Sequence, residues 1–157
     1  MAIETKEFPN LSKDKGIFDD VRSFYSVQER LDTFKHSHWP FERGPCTPLK
    51  MAEAGFYYIG TESSPDAVRC VVCLTELEGW EEGDEPYKEH KSHSTSSSCP
   101  FLHVKDPYLI TVGEVFKLEK KSLEYAINKA VKQLGDHYQK IEDYCQGQFD
   151  KLKELDS

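Results

Sequence analysis

The stretch CVVCLTELEGWEEGDEPYKEHKSHSTSSSC, Cys70 to Cys99, decides how this chain is read. It opens with Cys70-Val71-Val72-Cys73, a C-x2-C knuckle whose turn can bring two thiolates onto one tetrahedral zinc ion. His90 and Cys99 follow within the same loop-rich segment and complete a Cys3His set, with His93, one helical turn past His90, as the competing fourth ligand. Four protein ligands leave no open position for water, so the expected metal is structural and zinc hydrolase chemistry is excluded. The plainer alternative, buried core cysteines beside a surface histidine, fits the spacing less well.

Punctuation around the knuckle sets the local elements. Thr47-Pro48 opens LKMAEA and Gly55 closes it: an N-cap, a proline at the first helical position and a glycine after the last turn predict a short helix. Phe56 to Ile59 and Ala67 to Val72 read as strands. Pro86 suits the first turn of a helix running to about His93, and SHSTSSS, residues 92–98, reads as a loop. Upstream, residues 1–17 are polar and read as a tail, while apolar positions from Phe18 to Phe34 recur with a rough helical period. The domain reading is therefore a tail over 1–17, a zinc domain with its preceding helix over 18–105, and a linker with a long helix over 106–157.

That last zone has a different rhythm. Thr111-Val112-Gly113-Glu114 is a capping box. From there Ile127, Val131, Leu134, Tyr138, Ile141, Cys145, Gln148, Leu152 and Leu155 alternate spacings of four and three, the 3.5-residue period of a coiled-coil seam. A helix of this length, ~65 Å at about 1.5 Å per residue, outruns any small domain. The alternative is an amphipathic helix folded back on the domain, and Gly135 and Gly147 each weaken the helix by about 1 kcal/mol relative to alanine.

Composition narrows the function. Lys plus Arg number 20 against 28 for Asp plus Glu, a net charge of −8, which disfavours direct nucleic-acid binding and favours a basic partner. The N-terminal segment has no apolar run behind basic residues, no 18-residue apolar stretch predicts a membrane span, and five cysteines are an odd number, so reduced, intracellular thiols are expected. Between Glu76 and Glu89 lie seven carboxylates and one base, Lys88, with Trp80 among them. Taken alone such a run is a solvated face, yet a cation entering it meets negative potential beside an aromatic ring.

Arg30-Leu31-Asp32-Thr33-Phe34, Trp39-Pro40, Met51 to Tyr58, Asp66-x-Val68-x-Cys70-x2-Cys73, Leu77-Glu78-Gly79-Trp80, Asp84-x-Pro86-x2-Glu89-His90 and Cys99 together resemble a baculoviral inhibitor-of-apoptosis repeat over about residues 27–105. Two departures from the family pattern are a serine loop that places eight residues between His90 and Cys99, and a longer segment between Phe34 and Trp39. The resemblance implies an α+β fold, a three-stranded sheet with short helices holding one structural zinc on Cys70, Cys73, His90 and Cys99. It implies a groove for peptides that begin with a free alanine, in which Glu78 and Asp84 hold the ammonium, Leu77 and Trp80 shape the pocket, and His93 favours a phosphothreonine at the third position.

A single repeat without a RING motif, followed by a long helix, further resembles the mitotic branch of that family. This implies a non-enzymatic adaptor of the chromosomal passenger complex. It would read the phosphorylated N-terminal tail of histone three, bundle with borealin and INCENP through Ile127, Val131, Leu134, Tyr138, Ile141 and Leu152, and so bring Aurora B kinase to mitotic chromatin. The location so implied is nuclear and cytoplasmic, at centromeres early in mitosis and at the midzone and midbody later. It also implies a cell-cycle phosphorylation site at Thr47, and a homodimer contact through Phe18, Leu109, Val112, Val115 and Phe116 when partner helices are absent. The alternative within the family is an apoptosis inhibitor that sequesters Smac-like peptides or caspases.

Overall fold

The computed structural model describes residues 24–94 and 98–155. In chain order it contains helix α1 (Val27–Asp32), helix α2 (Pro48–Glu53), strands β1 (Phe56–Tyr58), β2 (Val68–Cys70) and β3 (Glu76–Leu77), helix α3 (Pro86–His93), a 3-10 turn (Pro100–His103) and helix α4 (Val112–Leu155). The strands form one antiparallel sheet in the order β1-β2-β3, with Phe56 opposite Cys70 and Val68 opposite both Tyr58 and Leu77. This is the expected three-stranded sheet with short helices. Among the described residues, no helix is long and apolar enough to cross a membrane.

The caps behave as their residue types dictate. The Thr47 hydroxyl accepts the Lys50 backbone N–H at the start of α2, and Pro48 fills a position whose amide hydrogen would be unpaired. Gly55 ends that turn at φ +91°, and an added Cβ there would stand 2.5 Å from the Phe101 ring, so glycine is required twice over. At the start of α4 the capping box closes as written: the Glu114 carboxylate accepts the Thr111 N–H at 2.8 Å, and the Thr111 hydroxyl accepts the Glu114 N–H.

The core gathers Phe34, Met51, Phe56, Val68, Val72, Trp80 and Phe101 between the sheet and the short helices. Arg30 lies in it, wholly buried. Its guanidinium donates to the Ala52 carbonyl at 2.8 Å and the Phe24 carbonyl at 2.6 Å, and it stands 4.9 Å from the centre of the Phe101 ring. One side chain thereby ties α1 to α2 and to the 3-10 turn. Burial lowers its pKa to about 10, which still leaves it charged at neutral pH.

Several expectations shift. The helix expected over Phe18–Phe34 is, within the described residues, only Val27–Asp32; Phe18 itself lies outside them. Strand pairing stops at Tyr58 on one side and Cys70 on the other, because Val71 and Val72 turn into the knuckle and Leu74 takes φ +58°. The helix opened by Pro86 runs to His93 as expected, so Ser92 and His93 belong to α3 and the serine loop is shorter than 92–98; the Ser92 hydroxyl donates to the Glu89 carbonyl at 3.0 Å within its last turn. Gly135 and Gly147 do not interrupt α4, which runs unbroken from Val112 to Leu155.

Helix α4 is attached only along its first turns. Leu118 is buried against the core, the Ser122 hydroxyl donates to the Val71 carbonyl at 3.2 Å, and Lys129 pairs with Glu76 at 2.8 Å. Burying Leu118 contributes about 1.5–3 kcal/mol to this docking. Beyond Lys132 the helix leaves the domain, so the folded-back alternative does not hold: Ile127, Val131, Leu134, Tyr138 and Ile141 are between 46% and 64% exposed.

Candidate metal centre and peptide cleft

β2 ends in the knuckle, α3 faces it and the 3-10 turn closes it, and these three elements bring Cys70, Cys73, His90 and Cys99 together, all buried, with their ligand atoms within 4.8 Å of one another. The Cys70 and Cys99 sulfurs are 3.8 Å apart, and Cys73 Sγ is 3.4 Å from His90 Nε2. A tetrahedron with zinc–sulfur bonds of about 2.3 Å has sulfur–sulfur edges of about 3.8 Å, so the donor set has the size of a zinc site. His90 Nδ1 donates to the Ala54 carbonyl at 2.8 Å, which turns Nε2 inward as the ligand atom. His93 does not compete: it lies at the exposed end of α3, outside the cluster.

Hydrogen bonds from Cys70 and Cys99 hold the Cys73 thiol far below its ordinary range, while burial pushes Cys70 well above it. Three thiolates cannot share this volume without a compensating cation, and a divalent ion supplies one.

From the metal cluster a chain of rings leads to the surface. His90 lies against Phe56 with ring centres 4.6 Å apart, Phe56 against Trp80 at 5.8 Å, and Trp80 against Trp39 at 6.4 Å. Trp80 is only 8% exposed, so it is a core residue whose one free edge becomes a wall. That wall, with Leu77, Glu78, Gly79, Asp84, Glu89 and His93, lines a cleft of about 220 Å³. Leu77, Glu78, Trp80, Asp84 and His93, expected to share a groove, do share one. Glu89 joins them; in the sequence it was one carboxylate among seven, and only its position one residue before the buried His90 on α3 marks it.

The cleft is built from backbone restraints. The Asp66 carboxylate accepts the N–H groups of Gly79 and Trp80, each at 2.8 Å, and Gly79 takes φ +77° to make that turn. The Asp84 carboxylate accepts the Glu81 N–H at 2.8 Å, and the buried Cys46 thiol donates to the Asp84 carbonyl at 3.1 Å from beneath. Burial raises the Cys46 pKa to about 11, so it stays a neutral donor. Glu78 accepts a hydrogen bond from the Ser64 hydroxyl. His93 Nδ1 sits 3.4 Å from the Glu89 carboxylate. The Trp80 indole N–H is buried without a partner. Three carboxylates thus face one imidazole in the cleft, a field that draws in a cation.

The remaining expected sites are more dispersed. Val115 lines a second groove of about 390 Å³ with Tyr25, Val27, Leu31, Tyr108 and Ile110, while Leu109, Val112 and Phe116 are exposed. Thr47 is half-buried at its cap. The side chain of Leu152 lies outside the described residues.

A closed Cys3His cluster that fits a structural zinc site lies beneath an acidic, tryptophan-walled cleft, and the family model for the inhibitor-of-apoptosis domain matches residues 30–103. The chain is 45% identical over 121 residues to baculoviral IAP repeat-containing protein 5 of Cavia porcellus, covering 76% of this chain and 80% of that one. It is 42% identical to baculoviral IAP repeat-containing protein 5.2-A of Xenopus laevis over 88% of this chain and 85% of the relative, and 39% identical to the Mus musculus protein 5 over 86% and 93%. The chain belongs to the baculoviral IAP repeat-containing protein 5 family, the survivins. Among solved structures, a DIAP1 BIR1 domain bound to a Grim peptide is 27% identical over 60% of this chain and 90% of that one, with a TM-score of 0.42.

Proposed function

We propose that this protein is a non-enzymatic adaptor that reads the phosphorylated N-terminal tail of histone three and, through α4, bundles with borealin and INCENP to carry Aurora B kinase to centromeres and later to the midzone. The observation that carries the reading is the cleft: Glu78, Asp84 and Glu89 line it together with Trp80, and His93, whose Nδ1 stands 3.4 Å from the Glu89 carboxylate, is the one lining side chain that can carry positive charge. A free N-terminal ammonium finds carboxylates there, a small first side chain meets the indole edge, and a phosphate further along meets an imidazole. The half-exposed stripe from Ile127 to Ile141 supports the second half of the reading, since a helix holds such a face for partner helices.

The zinc cluster supplies rigidity to this design. Cys70, Cys73, His90 and Cys99 would hold the ion, and through the ring contacts His90 supports the wall against which the peptide would lie.

Titration of Ala-Arg-Thr-Lys peptides, phosphorylated on threonine and unmodified, against a Smac-like alanine-started peptide tests the reading. The phosphorylated histone peptide binds tightest. Acetylating its amine, or substituting Glu78→Ala or Asp84→Ala, costs about 2–5 kcal/mol, as for the loss of one partner of a buried charge pair. Tightest binding of the Smac-like peptide with indifference to phosphate instead establishes the apoptosis-inhibitor role.

A further inference from the structure

Two hydroxyl residues in the chain are followed directly by proline, Thr47-Pro48 and Ser64-Pro65. Their hydroxyls make opposite contacts. That of Thr47 accepts the Lys50 N–H, so an acceptor oxygen suits its place. That of Ser64 donates to the carboxylate of Glu78, which lines the peptide cleft. We propose that Ser64 is a phosphorylation site for a proline-directed protein kinase, and that its phosphate, set against Glu78, weakens the cleft's hold on phosphorylated alanine-started peptides more than on unmodified ones. The inference rests on the reading of the cleft given above.

The site is presented on the turn that joins β1 to β2. The Thr61 and Ser64 N–H groups donate to each other's carbonyls at 3.0 Å and 3.2 Å, and Ile59 N–H donates to Ala67 at 3.0 Å below them. Ser63 and Pro65 are exposed and Ser64 is half-buried between them. Two residues on, the Asp66 carboxylate accepts the N–H groups of Gly79 and Trp80, each at 2.8 Å. The turn is thus fastened to the segment from Glu78 to Trp80 by three contacts, and whatever is added to Ser64 stays beside the cleft.

The transfer uses ATP. A bond forms between the Ser64 oxygen and the γ-phosphorus, the bond from that phosphorus to the β–γ bridging oxygen breaks, ADP leaves with its electron pair, and the hydroxyl proton passes to a carboxylate base of the kinase. The product carries about −1.5 to −2 charge and strong acceptor oxygens. A donor to Glu78 is thereby replaced by a like charge at the same place. Residues 59–66 hold no Lys, Arg or His to neutralise it, and they already hold Glu62 and Asp66. Glu78 is solvent-exposed, so it turns away into water and an incoming ammonium loses one of its carboxylates. A peptide phosphate is repelled as well. The unmodified Ala-Arg-Thr-Lys peptide, whose charged side chains are all cationic, is drawn by the same field, which offsets part of its loss.

The test treats zinc-loaded full chains with a purified proline-directed kinase and ATP, in a Thr47→Asn background that keeps a good helix cap and removes the other hydroxyl-proline pair. Peptide mapping is expected to find phosphate on Ser64, and none when Ser64→Ala is added. A folded chain that takes no phosphate on Ser64 overturns the inference. Affinities for labelled Ala-Arg-Thr-Lys, with and without phosphothreonine, are then compared before and after modification. Binding of the phosphorylated peptide is expected to weaken about tenfold or more, and that of the unmodified one about threefold or less, at unchanged zinc content. Ser64→Ala removes the donor without adding charge, and is expected to weaken both peptides equally, by about threefold or less. Equal losses for the two peptides on modification, or no loss, overturn the inference while leaving the cleft reading intact. If the chain binds neither peptide before modification, both readings fall together.

Discussion

Between Phe34 and Phe101 most large apolar side chains point inward, Leu49 and Tyr87 being exceptions, and Met51, Phe56, Val68 and Val72 have no exposed surface. On α4, from Ile127 to Phe149, Ile127, Val131, Leu134, Tyr138, Ile141, Tyr144 and Phe149 are all at least 46% exposed. The same residue types meet opposite fates because the first region can close on itself and the second cannot. A domain of this size has a small core, and its buried Cys3His cluster fits a metal that would complete it. The part of α4 beyond its docked turns has no second layer among the described residues to cover its stripe, and so its apolar face is surplus to the folding of the domain.

Zinc removal breaks this contrast most severely. Structural zinc contributes about 10–16 kcal/mol of apparent binding free energy in small zinc folds. Cys70→Ser, Cys73→Ser, His90→Ala or Cys99→Ser, or a strong chelator, is expected to unfold the sheet region and abolish tryptophan fluorescence anisotropy differences between Trp39 and Trp80 environments, with metal content falling from one equivalent to none. Retention of one equivalent by His90→Ala, together with its loss in His93→Ala, contradicts the ligand assignment.

Next in size is Arg30→Ala. It removes two charged hydrogen bonds, each worth about 1.5–3 kcal/mol, and leaves the carbonyls of Ala52 and Phe24 without their donors. Urea unfolding of the zinc-loaded protein is expected to show a loss of about 3 kcal/mol or more. Arg30→Lys recovers little of it, since an ammonium cannot fork to both carbonyls from that position. A stability within 0.5 kcal/mol of the parent contradicts the bridging role.

The smallest effect on the domain sharpens the comparison from the other side. Leu134→Glu with Ile141→Lys, both on the exposed stripe, is expected to leave zinc content unchanged and unfolding of the zinc domain within about 0.5 kcal/mol of the parent, as surface substitutions do. The same double variant is expected to lose co-purification with borealin and INCENP. Intact complex formation refutes the seam.

How much of this was legible in sequence depends on the kind of signal. The C-x2-C knuckle, Thr47-Pro48, Pro86 and the Thr111–Glu114 box announce themselves because metal ligation and capping each demand particular residue types at fixed offsets. The seam is legible because a 3.5 period sustained over several turns has no other common cause. Arg30 was not legible as a core residue, since nothing local distinguishes an arginine that reaches inward from one that reaches water. β3 is two residues long and was found only through family resemblance, its pairing depending on β2 rather than on its own sequence. The docking of α4 through Ser122 and Lys129 is a long-range match, 51 and 53 residues from their partners, which no local pattern encodes.

The proposed cleft reads a free alanine amine and, through His93, a phosphate two residues further on. The ratio of affinities for phosphorylated and unmodified Ala-Arg-Thr-Lys peptides, measured by calorimetry for the parent protein and for His93→Ala, tests it most directly. A clear preference for the phosphorylated peptide is expected in the parent, and in His93→Ala that preference is expected to collapse while affinity for the unmodified peptide stays nearly constant. Equal losses for the two peptides, or a parent indifferent to phosphate, contradict it.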